Sequence, residues 1–271
     1  MEIHLFILWN NALDYRAQIL TDIESSLTVL GVHDIKWSSA KFVENITRFY
    51  RKRPNMNDKA DRVGRGEFTL VVVQDDTPNY QSRNTSKGDE VVNVNIFDLK
   101  EKFRRWTGPP NDLIHATNNT IESNHDLVLL LGVNCNDYAN LSTDNRKALQ
   151  GNIDLIGHSG WSSISEMFYV LNNTLKYIVM RNWQPLPDAF TLDGHGDIDL
   201  LVDNLSDAVQ ILKAERVFPE QHRVHFKISI DGNEIPFDLR YIGDDYYAEQ
   251  MQNDMIESRV MSRGFYVPNT Y

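Results

Sequence analysis

Cysteine is almost missing from this chain: Cys135 is the one thiol in 271 residues. A single thiol excludes an intrachain disulfide framework and a cysteine-based zinc site, and it fits a reducing compartment. Basic charge is scarce too, with 27 Lys and Arg against 38 Asp and Glu and a net charge of −11. The nearest approach to a basic cluster, RFYRKRP at 48–54, is too short to offset that balance and reads as a solvated helix end. Such a surface repels a polyanion, which argues against nucleic acid as a partner. A single nucleotide held through a metal stays compatible, because the ion brings its own charge. Long apolar runs are absent as well. The opening MEIHLFILWNN is far too short to span a bilayer and has an acidic second residue, so it reads as a first strand and not a leader. No internal repeat or low-complexity segment is visible. The expectation is an acidic cytoplasmic protein without a membrane span.

What is present suits a packed interior. The composition is 41% apolar and 24% charged, with 12 Phe, 11 Tyr and 5 Trp, and the length allows one large domain or two modest ones. In the first part, residues 3–9 and 67–75 read as strands, and 34–38 as a shorter one. Ile19, Ile23, Leu27 and Leu30 are helically spaced over 15–31, with Gly31 as a stop. Helices are also expected over 41–51 and 94–108, and a strand or turn leading into a helix over 112–132. The polar stretch 76–90 reads as a surface loop. This order of strands and helices predicts an α+β sandwich of the ferredoxin-like kind over residues 1–135.

Residues 136–158 are polar and read as a linker, with a second domain over 159–271. That part opens with a helix over 159–176, for which Ser159 or Ser162 is a fitting cap. The aromatic residues of EMFYVL within it are helically spaced and read as core. Strands follow at 177–180 and 197–202, a helix at 206–214, and strands at 223–230 and 235–243. Asp231-Gly232 between the last two suits a tight hairpin turn. The tail RGFYVPNTY reads as leading toward a further domain.

The segment GHGDIDLLVDN at 194–204 places Asp197 and Asp199 inside an otherwise apolar run. Alternation in a strand sends both carboxylates to one face and Ile198 and Leu200 to the other. Two carboxylates that close repel unless water or a cation covers them. A strand end that caps a turn explains the pair blandly. A divalent cation explains it chemically, since Mg²⁺ favours one or two carboxylates plus substrate phosphates. A third carboxylate, Asp238, lies between apolar Phe237 and Leu239 in the last expected strand. Oxygen-ligand spacing of the EF-hand kind is absent.

This pattern resembles the metal-binding motif of the DNA polymerase β-like nucleotidyltransferase superfamily over residues 159–245. There a Gly-Ser turn after one strand precedes Asp-x-Asp on the next and a carboxylate on a later strand. The resemblance implies a mixed sheet with helices, Mg²⁺ or Mn²⁺ on Asp197, Asp199 and Asp238, and a nucleotide donor. Arg181-Asn182 stands in place of Gly-Ser, so Arg181 and Asn182 become the expected phosphate contacts, Arg181 through its guanidinium fork. His195, two residues before Asp197, is a candidate substrate contact. The departure points to the fukutin and LicD-like relatives, which transfer phosphorylated groups from activated nucleotides to glycans. The implied activity is transfer to a hydroxyl acceptor, with surface polysaccharide synthesis as the setting. The alternative from another class is a binding or scaffold protein that kept the fold without catalysis.

A second constellation lies in DLIHATNNTIES at 112–123. It resembles the active-site segment of nucleoside diphosphate kinases, in which a histidine after a strand is phosphorylated. That resemblance implies a kinase-like fold for the first domain. A His115-dependent phosphotransferase is the third reading, with Glu122 or Asp126 to orient the ring. The bland reading is a hydrogen-bonded loop histidine. His222 and His225 flank a strand start without a metal-ligand spacing.

Overall fold

The computed structural model describes residues 1–51, 55–85, 87–149, 154–188 and 196–269. The chain is α/β, with helices and sheets mixed throughout, and it divides into two units, Met1–Ile156 and Gly157–Tyr271.

The first unit runs β1 (Glu2–Leu8), α1 (Arg16–Glu24), β2 (Thr28–Ile35), α2 (Phe42–Tyr50), α3 (Met56–Val63) and β3 (Phe68–Asp75). It continues with β4 (Tyr80–Thr85), β5 (Gly88–Asn93), α4 (Val94–Thr107), β6 (Ile114–Ala116), α5 (Thr120–Leu131), α6 (Cys135–Asn140) and α7 (Thr143–Ala148). The main sheet has the order β2-β3-β1-β6 with every pair antiparallel. Crossovers through α1 and α4 complete the ferredoxin-like sandwich. Both helices lie on one face, where Ile19, Ile23, Ile96 and Phe103 pack with Phe6, Leu8, Val71 and Val73. Each such side chain contributes roughly 1.5–3 kcal/mol when fully buried. The α4 helix starts where the Asn93 side chain accepts a hydrogen bond from the Asn95 amide, and it stops at Gly108, whose φ of 68° lies in the left-handed region.

Three expectations for this unit are corrected. The helix expected over 15–31 ends at Glu24, because the β-rich run from Thr28 pairs with β3. Leu27 and Leu30 continue the helical spacing by coincidence. Gly31 is not a stop but sits at a register shift in β2, where a Cβ would come 2.1 Å from the Tyr138 hydroxyl of α6. The stretch 76–90 is not a loop, since β4 and β5 pair as a hairpin through most of it. The expected linker 136–158 instead carries the rest of α6 and all of α7. Asp154 accepts from the Ser38 amide at 2.8 Å and from the Asn45 side chain at 2.7 Å.

The second unit runs α8 (Ile164–Thr174), β7 (Tyr177–Val179), β8 (Ile198–Val202), α9 (Leu205–Leu212), β9 (Glu215–Arg216), β10 (His225–Ile230) and β11 (Asn233–Tyr241). Then come α10 (Glu249–Glu257), β12 (Val260–Ser262) and β13 (Phe265–Val267). Its sheet has the order β7-β8-β11-β10-β9 and is mixed, with β8 and β11 parallel and the other pairs antiparallel. A parallel pair needs a crossover, and α9 lies on it. Every residue of β8 is buried, which explains its nearly continuous apolar run. Ser163, and neither Ser159 nor Ser162, caps α8 by accepting from the Glu166 amide at 3.0 Å. Phe168 of α8 packs its ring 4.8 Å from that of Phe265, so the EMFYVL aromatics do include core.

Candidate metal centre

The parallel register of β8 and β11 sets Asp238 beside Asp199, with Phe237 beside Ile198 and Leu239 beside Leu200. Because side chains alternate, the two carboxylates share the face opposite those four apolar residues. Asp197 stands just before β8 and joins them: one carboxylate oxygen from each of Asp197, Asp199 and Asp238 lies within 4.8 Å of the others. Asp199 is buried at 3% exposure. Burial, helped by Asp197 and Asp199 and opposed by His225, raises the pKa of Asp238 above the ordinary aspartate value.

Arg181 follows β7 closely and closes a two-pronged ion pair on Asp199, Nε to Oδ2 at 2.7 Å and Nη2 to Oδ1 at 2.8 Å. Held by that carboxylate, the guanidinium keeps its proton more tightly than usual. Its side chain stays 56% exposed, so the pair sits at the edge of the site. Asn182 is exposed and takes a left-handed φ of 54° in the bend that follows β7. His195 lies outside the described residues.

One neighbour of the cluster is absent from the sequence-based site. His225 pairs directly with Asp238 across the β10–β11 hairpin and brings Nε2 to 3.9 Å from Asp238 Oδ1. Its signal was present in the turn. Asp231 and Gly232 have φ of 50° and 72°, the geometry of a two-residue hairpin loop. Counting outward from such a loop pairs Ile230 with Asn233 and, five steps on, His225 with Asp238.

The donor set fits a hard divalent cation. Two oxygens on opposite sides of Mg²⁺, each at 2.0–2.1 Å, lie about 4.2 Å apart. The three carboxylate oxygens, within 4.8 Å of one another, lie close to the span that a single ion would need. The groups are all oxygen donors, as this chemistry requires. His115, the other sequence candidate, sits in the first unit on β6 and takes no part in this cluster. Its Nε2 is 2.7 Å from Asp126 Oδ2, while Glu122 accepts from the Asn118 amide.

Among the described residues, no helix is long and apolar enough to cross a membrane. No protein-family model matches the chain, and no curated protein matches it either.

Proposed function

We propose that the second unit is a metal-dependent transferase that moves a nucleotidyl or phosphorylated group from an activated nucleotide to a hydroxyl. The observation that carries this reading is the in-register pairing of Asp199 with Asp238 beside Asp197. The likeness to DNA polymerase β-like nucleotidyltransferases supplies the reaction class. Bound Mg²⁺ or Mn²⁺ would be held by these three carboxylates and would neutralise charge on the transferring phosphate. The chain's own groups do the rest. Asp238, set beside Asp199 by the strand register, is the carboxylate we assign to take the proton from the acceptor hydroxyl. As that oxygen bonds to phosphorus, the bond from phosphorus to the departing phosphate breaks and the electron pair leaves with it. Arg181, half-exposed at the edge, has the planar fork that fits a phosphate as well as a carboxylate. By likeness to the fukutin and LicD-like enzymes, the acceptor we propose is a glycan. The setting is surface polysaccharide synthesis on the cytoplasmic side.

A second reading has its own observation. The Arg181 fork on Asp199 already satisfies one of the three carboxylates without a metal, as in a scaffold that kept the fold. Thermal unfolding in Mg²⁺ or Mn²⁺ against a panel of nucleotides and nucleotide-sugars separates the two, with wild type beside Asp197→Asn. A ligand at 100 times its dissociation constant adds about 2.7 kcal/mol, a readily measured shift. The transferase requires a shift that needs both metal and one nucleotide and vanishes in the variant. No shift with any pair assigns the unit to the scaffold class.

A further inference from the structure

Three polar residues stand in one row across the sheet of the second unit. The parallel register puts Asp199 beside Asp238, and the antiparallel register puts Asp238 beside His225. Directly paired residues share a face, so the row sets one imidazole next to the carboxylate cluster. Its Nε2 lies 3.9 Å from Asp238 Oδ1, too far for a hydrogen bond. That distance falls inside the span of about 3 to 4.2 Å open to two ligands each about 2.1 Å from one octahedral ion.

The ring is held without the use of its nitrogens. Phe218 packs against it edge to face, with centroids 5.7 Å apart and planes at 88°. Arg223 lies over the Phe218 ring in turn, 5.0 Å from its centre. Neither ring nitrogen of His225 has a hydrogen bond among the described residues. Its side chain is 47% exposed, so an ion and its waters can reach it. At the other end of the row Arg181 is taken up by Asp199. Among the described residues no Lys or Arg forms an ion pair with Asp238.

The chemistry of the donors decides the class of ion. Carboxylates alone suit Mg²⁺, which binds through oxygen and keeps several waters. An imidazole nitrogen adds little for Mg²⁺ and favours first-row transition ions. We infer that His225 is a nitrogen ligand of the metal centre beside Asp238, and that the centre selects a divalent first-row transition ion over Mg²⁺. This rests on the reading that the three carboxylates hold a metal, and it narrows the choice of ion.

Mn²⁺ added to the metal-free full chain and read by pulsed electron paramagnetic resonance tests this without reference to activity. Wild type shows nuclear modulation from a directly bound ¹⁴N. His225→Gln loses that modulation while still binding Mn²⁺ at higher concentration. Calorimetric titration shows Mn²⁺ weakened at least about tenfold in this variant, a loss that removing even a residue behind a ligand produces. Mg²⁺ affinity changes by less than about threefold, because that ion draws little from nitrogen. His225→Asn repeats the measurements where the glutamine variant does not fold. Mn²⁺ bound without nitrogen modulation, modulation that persists in a folded His225 variant, or an unchanged ratio of Mn²⁺ to Mg²⁺ affinity would each overturn the inference and leave the carboxylate centre standing. A chain that binds neither ion removes the centre itself, and the transferase reading falls with it.

Discussion

In the first unit one carboxylate, Asp126, serves two imidazoles, those of His115 and His125; in the second, three carboxylates stand together and one guanidinium pairs with Asp199 alone. The first arrangement is internally matched. Its anion is buried, and donors reach both of its oxygens. The second is left with excess negative charge, since Arg181, 56% exposed, pairs with the buried Asp199 alone. The difference teaches that a cluster of titratable groups is structural or ligand-seeking according to how its charge is closed. Asp126 stabilises the fold around it, whereas the carboxylates of the second unit repel one another and tax their own fold.

The largest expected effect breaks the first side of this comparison. Asp126→Ala leaves two buried ring nitrogens without an acceptor and lowers stability by about 3 kcal/mol, measured by urea unfolding. A loss under about 1 kcal/mol would mean that the imidazoles find other partners and that the matched arrangement is not what holds this region.

Acid sharpens the contrast next. Burial lowers the pKa of His33 from 6.5 to about 4, against the opposing pull of Asp34, and burial also lowers that of His4. Above pH 6.5 neither the folded nor the unfolded chain protonates these rings. As pH falls from 6.5 through 4 the unfolded chain takes up protons that the folded chain refuses, so stability is lost. The slope is at most about 1.4 kcal/mol per pH unit for each histidine. Replacing His33 with Gln should flatten the decline of melting temperature across that window; an unaltered pH profile would remove His33 as its cause.

On the other side, a double-mutant cycle between Arg181→Met and Asp199→Asn reads the value of the fork. Because Arg181 is 56% exposed, solvent screening limits the coupling to about 1 kcal/mol. The smallest effect is the most diagnostic. Asp197→Asn, without metal, leaves stability unchanged or raises it by about 0.5 kcal/mol, since it relieves repulsion. A fall of about 1 kcal/mol or more would make Asp197 a turn cap, and the two units would then differ less than described.

The three aspartates were legible because their signals are local and periodic. Alternation around Asp199 and Asp238 and the Asp231-Gly232 turn follow from neighbours in sequence. The closing contacts were not. Whether Arg181 points at phosphate or at Asp199 is a choice of side-chain rotamer, with both outcomes open to the same residues. Lys100 meets Asn118 only once α4 has docked beside β6, so nothing in 94–108 marks it. The overlong helix over 15–31 shows the reverse failure, where apolar spacing ran on past Glu24 into a strand. The hairpin at 80–93 went unread because most of it is polar and exposed, leaving no buried face to betray the alternation.

The side-by-side placement of Asp199 and Asp238 has a bearing on how the chain assembles. Shifting β11 by one residue against β8 would bring Asp238 into the apolar layer and turn Phe237 or Leu239 out to water. Mispairing thus carries a penalty on both faces at once, and it is levied before any substrate is present. The clustered charges of the finished protein thus also proofread the strand alignment during folding.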